Sequence, residues 1–406
     1  MELGNLIFNE KFIKPYRNEK KGKIIYIIRI NKSNAIDAND ILFIQKNLNY
    51  INRFENSQNN KKIELKLDIE AFYFGDKTVI LILEMLLFAL LQNIDLKIYT
   101  NIRMHEKQNV VYNYFKLSYL YTINRRFVTS LDYCMNYANF QGSGYQFDEK
   151  KIIGVHFRQY FSVDNLKKSD INQQILSSDI SFTLNAMLND KKILNEICLI
   201  VDELIDNIVC HTQGIGLVDI GIVNAKSHKD DGTYYQFMIN VLNISENCLY
   251  TRIKNMFKNT NDLLKNRSII EKAYQKHVNF FSNEKYSEDL FFMVSAFQNG
   301  ITTRSVDRLG GTGLSKAIIN FSKRSQDDLP DNLSYVYSGE NILIFNNEVL
   351  KDGEIGNYIA FNKENDYYSI PDEKCLSKTV FFLNGTAYNL MFIVKEKKNE
   401  YEQNHA

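Results

Sequence analysis

Two stretches of the sequence carry residue types able to work on a phosphate. In "DELIDN", Glu203 and Asn207 stand four residues apart, a spacing that stacks them on one side of a helix, one turn from each other. A carboxylate within reach of water is a general base, and a side-chain carbonyl oxygen is a ligand for magnesium. The second stretch, "RLGGTGLSKAI", places Gly310, Gly311 and Gly313 immediately before a segment that reads as helix. Backbone N–H groups at a helix N-terminus form an anion site, and glycines let a phosphate approach the chain closely. Arg304 and Lys316 flank this loop and supply positive charge against phosphate. A magnesium–triphosphate requires a cation ligand, backbone donors and a base, and Asn207, the glycine loop and Glu203 meet those needs in turn.

The order of residues in the loop argues against two familiar phosphate binders. A Walker A loop has lysine directly after its last glycine and then a hydroxyl residue; here Leu314 holds the lysine position in "GLSK". A dinucleotide fingerprint has three glycines between the first strand and helix of a parallel unit, whereas "GTGLSK" lacks the third and follows polar residues.

The elements that must position these residues fall into two halves. From Lys23 the pattern alternates: strand "KIIYIIRI", helix "DANDILFIQKNLNYINRF", strand "KIELKLDI", helix "DKTVILILEMLLFALLQN", strand "DLKIYT". Such alternation predicts an α/β unit. Residues from Glu106 to Arg126 read as helix, and "FQGSGYQFDEKK" reads as the linker, which puts a domain boundary near residue 148. The second half is predicted to begin with helix. In "KKILNEICLIVDELIDNIVCHT", Ile193, Ile197, Ile200, Leu204 and Ile208 fall at helical spacings on one apolar face. Two strands, "LVDIGIVN" and "YYQFMINVLNI", follow, then about 55 residues of helical or polar sequence before the glycine loop, then strands "LSYVYS", "NILIFNN" and "AYNLMFIV".

Composition bounds the function classes. The chain has 406 residues, 45% of them hydrophobic, which suffices for two or three cores. With 49 basic and 48 acidic residues the net charge is +1, so neither nucleic acid nor an anionic membrane has a strong electrostatic case. The most apolar run, Val79 to Leu91, has 13 residues and contains Glu84, too short for the roughly 20 that span a bilayer. The N-terminus shows no basic leader with an apolar core, so a cytoplasmic protein is expected. Five cysteines without a CxxC pair and six scattered histidines predict neither a disulfide framework nor a transition-metal site.

At this point the sequence resembles the GHKL ATPases, the superfamily of gyrase, the heat-shock chaperone, histidine kinases and MutL, with its Bergerat nucleotide fold. "DELIDNIVCH" is similar to the N box, which implies a general base at Glu203 and a magnesium ligand at Asn207. "GGTGL", comprising Gly310, Gly311, Thr312, Gly313 and Leu314, is similar to the glycine box that wraps the triphosphate. "NGITTRSVDR", with Arg304, resembles the approach to that box in some members. "NGTAYNLMFIV" resembles the later Gly-Thr strand entry and implies that Thr386 contacts adenine. Asn243 in "NISEN" stands where the family has the aspartate of Asp-x-Gly-x-Gly; its carbonyl accepts a hydrogen bond as a neutral, weaker partner, and both glycines are gone. The likeness covers roughly residues 155 to 396.

The first half resembles STAS regulatory domains over "KIELKLDIEAFYFGDKTVILILEML". That likeness implies a phosphoacceptor at Thr78 beside Asp76; the residues themselves read as a helix cap. The expectation is therefore an α/β protein with a STAS-like domain over 1–148 and a Bergerat-type ATP-binding domain over 149–406. A lid is expected over about 248–308, mobile between Lys254 and Glu288. The implied function is a regulatory switch that binds ATP and magnesium and hydrolyses slowly. An anti-sigma-type serine/threonine kinase and a non-catalytic interaction module are the alternatives. The implied partners are ATP and an unidentified protein, with a homodimer as one arrangement.

Overall fold

The computed structural model describes residues 7, 11–20, 22–55, 62–106, 115–116, 118–129, 145–147, 152–168, 170–186, 188, 190–211, 215–226, 233–259, 264, 266–298, 301, 334–346, 348–349 and 359–395. The protein is of the α/β class and divides into two compact units. One holds Met1–Gln141 with Ile244–Glu246 and Thr379–Asn384; the other holds Gly142–Asn243, Asn247–Lys378 and Gly385–Ala406.

The first unit is built on a five-stranded sheet in the order β1 (Tyr16–Lys20), β2 (Lys23–Asn31), β3 (Lys62–Ala71), β4 (Leu96–Met104), β5 (Phe127–Val128). The β2–β3 and β3–β4 pairs are parallel, and the two outer pairs are antiparallel. Helix α1 (Ala38–Glu55) connects β2 to β3, and α2 (Lys77–Asn93) connects β3 to β4. Right-handed crossovers between strands that follow in sequence order put both helices on one face. The alternation agrees: Ile24, Tyr26, Ile28 and Ile30 on β2 are buried, as are Ile63, Leu65, Leu67 and Ile69 on β3. The opposite face carries polar cross-strand neighbours, with Arg29, Asp68 and Asn101 in register and Arg103 bridging to Glu70 at 2.7 Å.

The apolar run from Val79 lies within α2, whose residues are buried nearly all round, the pattern of an internal helix. No helix among the described residues is long and apolar enough to cross a membrane. Glu84, wholly buried in that helix, accepts from the backbone N–H of Leu120 at 3.2 Å. It thereby satisfies a donor at the start of the short helix α3 (Tyr119–Ile123), whose cap is Ser118. Of the expected helix from Glu106 to Arg126, the described residues show helix at Phe115 and Lys116 and over α3, followed by β5. Asp76 is the N-cap of α2, accepting from Val79 N–H at 3.0 Å, and Thr78 is buried at 2% exposure.

The second unit carries a six-stranded sheet in the order β10 (Tyr335–Ile344), β11 (Leu376–Lys395), β9 (Thr233–Ile244), β8 (Ile215–Lys226), β7 (Ile152–Ser162), β6 (Tyr145–Phe147). Between β7 and β8 run the helices α4 (Val163–Lys168), α5 (Asp170–Asn185) and α6 (Lys191–His211). Ile193, Ile197, Ile200, Leu204 and Ile208 of α6 are all buried, in one core with Phe157, Ile220, Phe237, Ile239 and Phe392 of the strands. Burying each such side chain contributes about 1.5–3 kcal/mol.

Four expectations change in this unit. It begins with the hairpin β6–β7 rather than helix, and the linker candidate contains β6, its remaining residues lying outside those described. "LSYVYS" and "NILIFNN" form one strand, because Gly339 at φ 65° carries the chain through a position that L side chains avoid. Gly385 sits inside β11 at φ 127°, nine residues after the strand starts, so "NGTAYN" is a kink within a strand rather than its entry.

The fourth concerns the insertion. Its described residues hold α7 (Thr251–Lys258), α8 (Arg267–His277), a 3-10 turn (Val278–Phe280) and α9 (Glu288–Ser295), and they are tied down rather than loosely attached. Lys254 bridges Glu288 at 2.7 Å and Asp289 at 2.6 Å. Arg267 donates to the carbonyls of Met256, Phe257 and Asn259. Ile270, Ala273 and Leu290 to Met293 join the core. Low-stability lids have few such contacts, so the helical insertion stands while its expected mobility does not follow from its packing.

Candidate functional site

Helix α6 forms because its apolar residues repeat at helical spacing, and that same stripe fixes which side its polar residues face. Glu203 and Asn207 are half-buried at the margin of the apolar face, about 6 Å apart along the axis from the helical rise. The Asn207 side-chain amide donates to the hydroxyl of Tyr388 on β11 at 2.8 Å. Tyr388 is 1% exposed, and burial holds its phenol well above the usual tyrosine range. It is therefore a neutral partner. With Nδ2 engaged, the Oδ1 of Asn207 keeps its acceptor capacity for another group.

Two residues earlier on β11, on the same face of the strand, Thr386 donates its backbone N–H to Oδ1 of Asn243 at 3.1 Å. Asn243 is fully buried on β9, the strand beside β11. Ser338 of β10 completes the cluster: its hydroxyl donates to the Gly385 carbonyl at 2.5 Å, lies 3.3 Å from the Thr386 hydroxyl, and accepts from Leu249 N–H at 2.8 Å. Both glycines are required by this packing. Gly385 has its positive φ, and a Cβ on Gly339 would meet the Tyr250 hydroxyl at 2.6 Å.

Asn207 and Asn243, from elements distant in sequence, thus bond to neighbouring positions in the middle of β11, Tyr388 and Thr386. Glu203 lies one turn from Asn207 on the same helix side. Arg304, Gly310, Gly311, Thr312, Gly313, Leu314 and Lys316 lie outside the described residues. Thr78 belongs to the first unit.

The residues missed in the sequence are Tyr388, Ser338 and Leu249. Only Tyr388 left a signal, its i+2 position relative to Thr386 on a strand. Beside Glu203, Asp202 faces the neighbouring helix instead: burial pushes its carboxyl up, and Ser177 of α5 donates to it at 2.5 Å.

The donor set bears on magnesium. No group of three or more His, Cys, Asp or Glu among the described residues forms a metal cage. Magnesium bound with a nucleotide uses one or two protein oxygens and takes the rest from phosphates and water, and Asn207 Oδ1 fits that role. No family model, curated protein or solved structure matches this chain.

Proposed function

We propose that the second unit binds magnesium–ATP and acts as a nucleotide-dependent regulatory switch in the cytoplasm, with slow hydrolysis through Glu203, beside a STAS-like regulatory unit. One observation carries the reading. Asn207 of α6 bonds to Tyr388 and Asn243 at the end of β9 bonds to Thr386, two residues apart on β11, an arrangement that fits the N box, first glycine box and threonine of a Bergerat-type site. Asn207 would hold the metal by Oδ1, oriented by the Tyr388 hydroxyl. Bound magnesium neutralises phosphate charge and orients the triphosphate. Glu203, one turn away, would take a proton from the attacking water. Calorimetric titration with ATP, with and without magnesium, tests the reading.

A specific observation favours the interaction module as the second reading. The Asn243 carbonyl already accepts from Thr386, and the residue is fully buried, so one of its two lone pairs is committed to the protein. The kinase reading has less support. Thr78 is 2% exposed behind the Asp76 cap, and a hydroxyl so placed reaches a phosphate only after the helix start opens.

A further inference from the structure

Helices α5 and α6 form an antiparallel hairpin, joined where Ser177 of α5 meets Asp202 of α6. Its inner side is buried in the second unit's core through Leu176, Ile180 and Leu184 of α5 and the isoleucine stripe of α6. Its outer side has a different composition. Phe182 is 83% exposed, Leu199 56% and Ile175 51%. Ile175 and Phe182 are seven residues apart, two turns along one stripe of α5. Phe182 is the most exposed of the large apolar side chains among the described residues.

Isolated exposed apolar residues need no explanation, but a stripe of them rimmed by one sign of charge does. Residues 170–211 contain seven acidic residues against two lysines, a local charge of −5 in a chain whose net charge is +1. The two lysines, Lys191 and Lys192, sit together at the start of α6, and α5 has no basic residue. Asp179, Asp202 and Asp206 are half-buried along the hairpin, so the apolar stripe lies in a negative field.

This charge pattern selects the occupant. A second copy meeting the same face across a two-fold axis sets acid against acid, and a membrane surface rich in anionic lipid is repelled. We infer that the α5–α6 face docks a basic amphipathic helix of another protein, whose apolar residues cover Ile175, Phe182 and Leu199 while its lysines and arginines meet Asp179 and Asp206. Helix-on-surface recognition of this kind reads apolar anchors at i, i+3, i+4 and i+7. Complementary charge sets the encounter rate and excludes wrong partners.

The test uses the full chain and two synthetic helical peptides of about 18 residues, five turns, with leucines on one face. One carries lysines on its flanks and the other carries glutamates at the same positions. Fluorescence anisotropy is expected to show saturable binding of the lysine peptide and none of the glutamate peptide. Affinity should fall as salt rises to about 0.5 M, where screening acts within about 5 Å. Phe182→Ser, at a solvent-exposed position, should leave the melting temperature in place and weaken the lysine peptide by about tenfold or more, as loss of an aromatic anchor does. The inference is overturned if the lysine peptide does not bind or if both peptides bind alike. Binding indifferent to Phe182→Ser overturns it too. So does a concentration-dependent dimer in sedimentation that Phe182→Ser dissolves, since a second copy then covers the face.

Discussion

Asn207 and Tyr388, 181 residues apart in sequence, are joined by a side-chain hydrogen bond of 2.8 Å that fixes which way the Asn207 carboxamide points. The relationship makes Tyr388 a positioning residue for the proposed metal ligand. Tyr388→Phe removes the acceptor and leaves a half-buried amide unpaired, which costs about 1–2 kcal/mol of stability. Affinity for ATP with magnesium should fall, while affinity for ATP in a chelator should hold. Equal losses in both conditions would show that Tyr388 only packs.

Glu203→Ala should abolish hydrolysis and spare nucleotide binding, because a positioned general base contributes typically about 10²–10⁴-fold to the chemical step. Single-turnover phosphate release and calorimetry separate the two. Unchanged release from the variant assigns Glu203 a structural role on the margin of α6.

The fold was legible where one period dominated. Helices α1 and α2 and the parallel strands between them follow from apolar spacing and from the Asp76 cap, and the sequence ranges agree with the structure to within a few residues. Strand β7 was not legible because both of its faces are buried. Phe157 and Phe161 pack on the helices, while His156 and Arg158 on the other face meet Asp219 of β8 in the interior, and the alternation of Val155, His156, Phe157 and Arg158 is broken at once by Gln159 and Tyr160. Of the site, the four-residue spacing of Glu203 and Asn207 was visible. Tyr388 showed only through its i+2 position after Thr386, since a tyrosine in "TAYNLMF" reads as core until its partner on a distant helix is known.

Acid should destabilise the second unit in two separate windows. Burial lowers the pKa of His277, only partly offset by the Tyr367 carbonyl, which lies 3.1 Å from its Nε2. Its neutral ring also meets the Tyr286 hydroxyl at 2.7 Å. The unfolded chain therefore binds the proton first, and stability falls as pH drops below about 6.5. Burial opposes ionisation of Glu288, yet hydrogen bonds from Lys254, Tyr274 and Lys258 outweigh it and hold the carboxyl at about 2. That contribution is complete above the ordinary glutamate value of 4.5 and is lost as pH falls toward 2. Melting curves across pH should show Glu288→Gln flattening only the lower window. A Glu288→Gln profile parallel to wild type between those values would contradict this assignment.

Asp76→Ala should cost about 1 kcal/mol through loss of the cap on α2, measured by urea denaturation. With terminal-phosphate-labelled ATP, the folded wild type should carry no label at Thr78. Label that disappears in Thr78→Val would restore the kinase reading and overturn the cap as the sole role of this turn.

Magnesium-dependent ATP binding tests the central claim most directly, by calorimetry paired with thermal melting. Saturable heat with magnesium, weaker binding in chelator and a raised melting temperature are expected. At a hundredfold excess over the dissociation constant the added stability is about 2.7 kcal/mol. No heat and an unmoved melting temperature in millimolar magnesium–ATP would contradict that claim, and would leave the bonds of Asn207 and Asn243 to β11 as the frame of an interaction module.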